Sequence, residues 1–321
     1  MLYIFGPTAG ARSQHDALGI FLTKQECKYE QIYEYKDLFN VNLSVDDCVL
    51  CGIPVDDYER NFQVVQFLKD RTPNVFFLMD HWHNSPKNFY DPRSDSYHLP
   101  KKIFCIDQHM KQSFIDFGID EKILEVSGHP ALEKTHSDRK ELDIPQKLRG
   151  HVGSDHQIIT LFLDPIGDRR NSIGYNEIDV VNLLLAASEK IEKISIAIKP
   201  HPRTESSVIK ELTKNCKDVF VVEEDFQIDS FDLARISDKV LGMTSIMLIH
   251  ALVLQKPTLS IQINPTDAGK RRSNPYLDKI LCQGIDHIEE FLKGDFNKNE
   301  VIPSCIFEGS WDRIYQSLRS K

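Results

Sequence analysis

Two short polar stretches, Lys199-Pro-His-Pro-Arg203 and Thr244-Ser245, carry residue types suited to holding a phosphate. Ammonium, imidazole and guanidinium groups offer charge and N–H donors, and guanidinium pairs bidentately with phosphate oxygens. Hydroxyls at a helix start add donors where backbone N–H groups are unsatisfied and the helix dipole is positive. A third stretch, Asp80-His-Trp-His-Asn84, sets a carboxylate beside two imidazoles. Asp80 could take a proton from a hydroxyl, with His81 or His83 as base or acceptor ligand. Metal binding by Asp80, His81 and His83 is a competing reading, but no other ligand is visible nearby, and no metal is expected. The plain alternatives are that Thr244-Ser245 only caps a helix, that His201 packs under a loop, and that Asp80-Asn84 is a hydrogen-bonded strand terminus.

The elements that must position these residues are legible around them. Ile194–Ile198 is β-branched and apolar and reads as a buried strand, stopped by the two prolines that follow Lys199. Thr204–Ser207 offers caps for a helix to about Asn215, and Phe220–Val222 is a second strand. Phe231–Ser237 reads as a helix, Lys239–Gly242 as a strand, Thr244–Leu254 as a helix and Pro257–Ile263 as a strand. Strict alternation of this kind argues a doubly wound parallel sheet, whose ligands sit beyond the carboxyl ends of the strands. Both phosphate-suited stretches fall at such ends. So does Asp164, which follows the apolar run Gln157–Leu163 and precedes Arg169 and Arg170.

The N-terminal half repeats the pattern. Met1–Phe5 is a strand, Gly6-Pro-Thr8-Ala-Gly10 a glycine-bearing turn, and Ser13 a cap for a helix to about Lys24, with Arg12, His15 and Asp16 flanking the turn. The turn is not a G-x-G-x-x-G dinucleotide fingerprint. Strands follow near Tyr29–Tyr33, Asp47–Ile53, Asn74–Met79, Lys102–Ile106 and Ile123–Val126, the last closed by Ser127-Gly-His129-Pro130. Residues 85–101 read as a loop, Leu277–Leu281 and Ile288–Leu292 as short helices, and Ser310–Leu318 as a terminal amphipathic helix.

The order strand–Lys-Pro-His-Pro–helix, then Gly242-Met-Thr-Ser245 opening a helix, then Lys256-Pro-Thr-Leu-Ser260, resembles the C-terminal half of GT-B glycosyltransferases. It is similar in particular to the His-Pro and serine-motif enzymes of bacterial capsule, lipopolysaccharide and sialic-acid-type glycan synthesis. The resemblance covers roughly residues 155–265 well and the first half in outline. It implies two Rossmann-like doubly wound parallel-sheet domains, α/β and GT-B, facing a central cleft. It implies residues 1–140 as acceptor domain, 141–154 as linker, 155–308 as nucleotide-sugar donor domain, and 309–321 as a helix returning to the first. By the same resemblance His201, Thr244 and Ser245 hold the donor's phosphate and Asp164 and Arg169 face the donor; Lys199, Pro202, Arg203 and Gly242 of the same two stretches are further donor-binding candidates, and Gly6, Thr8, Gly10, His15 and His129 are candidates to line the cleft.

Composition sets limits on the rest. With 321 residues the chain has room for two ordinary domains, and 41% hydrophobic with 27% charged residues is the balance of a globular protein. A net charge of −9 gives no electrostatic invitation to nucleic acid or an anionic membrane, and the triplet Lys270-Arg-Arg272 reads as a loop that reaches a phosphate or is simply solvated. No run reaches the roughly 20 apolar residues of a membrane span, and the N-terminus lacks a signal h-region, so a cytoplasmic protein is expected, with peripheral membrane association left open. Seven cysteines give no disulfide framework. The expected function is a metal-independent glycosyltransferase without cofactor, taking a nucleotide-sugar donor and a glycan or lipid-linked glycan acceptor. The alternatives are a nucleotide-sugar 2-epimerase or hydrolase, a polyol-phosphate transferase, and a non-catalytic scaffold. The glutamate-rich signatures usual in the epimerases are not evident.

Overall fold

The computed structural model describes residues 1–52, 58–82, 86–140, 142–270, 273–282, 284–294 and 302–320, and the chain divides into two compact units. The first comprises Met1–Ser137 with Pro303–Lys321, the second Asp138–Ile302.

The first unit has a six-stranded parallel sheet. Its strands are β1 (Leu2–Phe5), β2 (Tyr29–Ile32), β3 (Cys48–Cys51), β4 (Asn74–Leu78), β7 (Lys102–Cys105) and β8 (Leu124–Val126), in the order β2-β1-β3-β4-β7-β8. A two-stranded antiparallel hairpin, β5 (Tyr90–Asp91) with β6 (Ser96–Tyr97), interrupts the stretch expected to be loop. The helix after β1 runs Ala9–Lys24 and is capped by Thr8, whose side chain accepts from the Ala11 N–H. It therefore begins earlier than a Ser13 cap would allow, because Thr8 is the first hydroxyl placed to satisfy the orphan donors. Leu18 and Leu22 on this helix pack with Ile4, Leu50, Phe76 and Phe104 of the sheet and with Ile314 of the last helix, Ser310–Arg319. That helix start is capped from within the unit: Glu133 accepts from the backbone N–H groups of Gly309 and Trp311 and from the Ser310 hydroxyl.

The second unit repeats the arrangement with β9 (Gln157–Phe162), β10 (Ile194–Lys199), β11 (Val219–Val221), β12 (Lys239–Gly242), β13 (Thr258–Ile261) and β14 (Leu281–Cys282), ordered β11-β10-β9-β12-β13-β14. All pairings are parallel. Leu281 is therefore the start of the sixth strand; the helix expected over Leu277–Leu281 is shorter, Pro275–Asp278, with Asn274 capping it. Near-continuous apolar runs in β9 and β10 follow from burial on both faces, as parallel sheets require. Among the described residues, no helix is long and apolar enough to cross a membrane.

Candidate functional site

The centre of the second sheet brings three strand exits side by side. Register pairs Phe162 of β9 with both Lys199 of β10 and Gly242 of β12. Asp164, His201 and Thr244 each stand two residues past one of these strand ends, so all three emerge at the same edge of the sheet, where Asp164 bonds Thr244 and is near enough to His201 to act on its charge. Gly242 permits this closeness: a Cβ there would come within 3.0 Å of the Phe162 carbonyl and of the Leu248 side chain.

The contacts refine the expected roles. Thr244 donates its backbone N–H (2.7 Å) and its hydroxyl (2.5 Å) to one oxygen of the buried Asp164 carboxylate. Both donors expected to face a phosphate are thus turned to the chain's own anion. The helix start lies one residue later than Thr244: Ser245 caps Ile246–Val253, its hydroxyl oxygen accepting from Met247 N–H. Its hydroxyl hydrogen remains, at a helix N-terminus where anions are favoured.

His201 is half-buried, and its Nδ1 accepts from the Arg203 N–H at 3.1 Å while its carbonyl accepts from Thr204 N–H at 2.8 Å. Accepting at Nδ1 places the ring proton on Nε2, which is left as a donor. The pKa is lowered, first by burial and then by Arg203, with Asp164 and Glu177 pulling the other way, so the ring favours the neutral form. Lys199 is also lowered by burial, against the raising fields of Asp229, Glu224, Glu223 and Asp225. Pro202 and Arg203 are exposed on the same turn. Arg169 folds back to donate to the carbonyls of Pro165 and Ile166, and Arg170 makes a two-pronged pair with Asp179 at 2.7 and 2.8 Å.

One residue absent from the sequence reading belongs to this cluster. Glu177, first residue of the helix Glu177–Ser188 and buried, accepts from the Ile166 and Gly167 N–H groups and from the Thr204 hydroxyl. In sequence it looks like an ordinary acidic first-turn residue beside the Asn176 cap, and only the fold turns it toward the strand exits.

In the first unit, Asp80 follows β4, and a Cβ on Gly10 would run into its carboxylate, which therefore lies over the first turn of Ala9–Lys24. His129 is buried; its Nδ1 accepts from Leu132 N–H and its Nε2 meets the Asp80 carbonyl at 3.3 Å. Burial lowers His129 to about 4. His15, 1% exposed, lies with Nδ1 2.7 Å from where a Gly6 Cβ would stand, and burial lowers it to about 3. Neither ring nitrogen of His15 has a hydrogen-bond partner among the described residues. Both rings are neutral at neutral pH, so neither supplies a cation to a ligand. Asp80, Gly10 and His129 are brought together; His81 is partly exposed beside them, and Trp82 donates instead to Asp107 at 2.8 Å. His83 lies outside the described residues. Among the described residues, no group of three or more His, Cys, Asp or Glu side chains is arranged to hold a metal ion.

No protein family and no curated protein matches this chain by sequence. Solved structures do match in fold. The chain is similar to the UDP-GlcNAc 2-epimerase of Methanocaldococcus jannaschii, solved with UDP-GlcNAc and UDP, at 14% identity and a TM-score of 0.67, covering 100% of this chain and 99% of that one. The wall teichoic acid polymerase TagF is similar at 13% identity and TM-score 0.58, with 99% of this chain and 89% of that chain covered. HepE of Anabaena, in complex with UDP and glucose, is similar at 13% identity and TM-score 0.57, covering 100% of both chains. The fold is accordingly α/β of the GT-B kind, with one parallel six-stranded sheet in each of its two units.

Proposed function

We propose that this chain is an enzyme acting on a nucleotide sugar, and that its chemistry is confined to the nucleotide sugar itself, as in 2-epimerisation or hydrolysis. The observation that carries the reading is the cluster at this sheet edge, where a half-buried imidazole with Nε2–H left as a donor feels the charges of the buried Asp164 and Glu177, and Asp164 bonds Thr244 just before the helix start at Ser245. The diphosphate would accept from His201 Nε2–H and the Ser245 hydroxyl, with Lys199 and Arg203 supplying charge where the leaving phosphate becomes more negative. Likeness in fold to epimerases solved with UDP and UDP-GlcNAc supports uracil as the base.

A second reading is transfer to a glycan or lipid-linked acceptor during surface-polysaccharide synthesis. Asp80 beside Gly10 at the first sheet's edge favours it, as the base for an acceptor hydroxyl. TagF-like polyol-phosphate transfer is its variant, supported by the likeness to that polymerase.

The readings separate in one experiment: UDP-GlcNAc is incubated with the protein in deuterium oxide and followed by proton and phosphorus NMR. Inversion at C2 must break and remake the C2–H bond, so deuterium at C2 identifies the epimerase. Hydrolysis breaks the C1–O bond to the phosphate, places a water oxygen on C1 and releases UDP. Release of UDP only on addition of an acceptor would instead select transfer. No reaction, together with no thermal stabilisation by UDP, would sink the nucleotide-sugar reading.

A further inference from the structure

We propose that Glu177 is a positioning residue that locks two strand-exit loops of the second unit to each other, so that their donors meet a ligand's phosphates as one preformed surface. The proposal rests on the nucleotide-site reading above and adds to it a residue outside the phosphate-contacting set.

Glu177 is 5% exposed, and its carboxylate is shared between two loops. Toward the β9 exit, Oε1 accepts from Ile166 N–H at 2.9 Å, and Oε2 from Gly167 N–H at 2.9 Å. Toward the β10 exit, Oε1 accepts from the Thr204 hydroxyl at 3.5 Å. Gly167 has φ +51, and this left-handed turn aims two successive N–H groups at one carboxylate. Thr204, in turn, donates its N–H to the His201 carbonyl and so closes the turn that carries His201 and Arg203. One buried anion therefore fixes the loop following Asp164 and the loop presenting the His201 Nε2–H.

Two features make the anchor specific. The carboxylate stands at the first position of Glu177–Ser188, where a negative charge is stabilised by the helix dipole. It is also fixed there independently of the loops, since Asn176 and Asp179 form a reciprocal capping box that holds the helix start. Removing the charge should release the loops while leaving the helix intact. Glutamine has the same length but offers a single acceptor oxygen, and its NH2 group would confront the N–H of Gly167.

The test is UDP binding by calorimetry to the full chain, with uridine as the phosphate-free probe. Binding of UDP by the wild-type protein is the control for the nucleotide-site reading. If it fails, that reading falls first; if it succeeds, the variants test Glu177. Glu177→Gln should weaken UDP at least tenfold and uridine less than threefold, with cooperative unfolding retained. Thr204→Val, which removes only the hydroxyl arm, should weaken UDP less, and its effect should largely disappear in the Glu177→Gln background, as coupled contacts require. A merely structural glutamate would lower affinity for UDP and uridine alike. Equal losses for the two probes, additive effects of the two substitutions, or wild-type UDP affinity in Glu177→Gln would each overturn the proposal. Should Glu177→Gln fail to fold, Thr204→Val with the same two probes decides: a loss confined to UDP supports the coupling, and unchanged UDP affinity overturns it.

Discussion

Lowering the pH from about 7.5 to about 5 should destabilise the first unit through two histidines. His15 and His129 are fully buried and lowered from 6.5 to about 3 and about 4. Above pH 6.5 both rings are neutral in the folded and the unfolded chain, and neither contributes a pH dependence. As pH falls below 6.5 only the unfolded chain takes up the protons, so stability falls until the folded pKa values are passed. At about pH 5 the gap is about 1.5 units for each ring, or about 2 kcal/mol each and about 4 kcal/mol together. That is a large share of the roughly 5–15 kcal/mol that a domain has. The low-lying carboxylate Asp47, held at about 2 by the N-terminal ammonium and Ser44, acts only below its ordinary value of 3.8 and leaves this window to the histidines. Both tryptophans of the chain, Trp82 and Trp311, lie in the first unit, so fluorescence-monitored urea unfolding reads that unit. His15→Leu should remove about half of the slope, since it replaces an unpartnered ring by an apolar side chain of similar size. An unfolding free energy that changes by less than about 1 kcal/mol between the two pH values, when about 4 is expected, would refute the account of both rings.

Other outcomes follow from single contacts. His201→Ala should abolish the thermal stabilisation given by UDP while leaving the apo melting temperature within a few degrees, read by differential scanning fluorimetry. Gly10→Ala pushes a methyl group into the Asp80 carboxylate and should cost the first unit about 1–3 kcal/mol in urea unfolding. Lys239, buried in β12, donates to the carbonyls of Phe291 (3.0 Å) and Leu292 (2.8 Å) at the end of the helix Ile285–Lys293. Lys239→Met should therefore cost the second unit about 1–3 kcal/mol, visible as faster amide exchange at that helix end.

The strand and helix alternation of the second unit was legible because parallel strands buried on both faces read as apolar runs, and prolines and glycines punctuate them. Short-range chemistry was harder to place. A Ser13 cap was a reasonable expectation, yet Thr8 sits where the first unsatisfied N–H groups emerge, and caps compete over a few residues. Leu281 reads as the end of a helix in the sequence because two-residue strands have no period to detect; pairing with Ser260 makes it part of β14.

In the candidate site, residue types and spacing single out His201, Thr244 and Ser245, because a strand followed by polar residues points to a sheet's carboxyl edge wherever it occurs, while Asp164 comes in through the resemblance to GT-B enzymes. The partners of those residues depended on tertiary structure. Register across β10, β9 and β12 decides that Asp164 reaches Thr244, 80 residues away, and takes both of its donors. Burial decides that His15 and His129 are neutral, and a left-handed turn at Gly167 decides that Glu177 is the hub of two loops. Periodicity is a local property of the chain, whereas desolvation and hydrogen-bond partnership are set by segments distant in sequence that share one sheet edge.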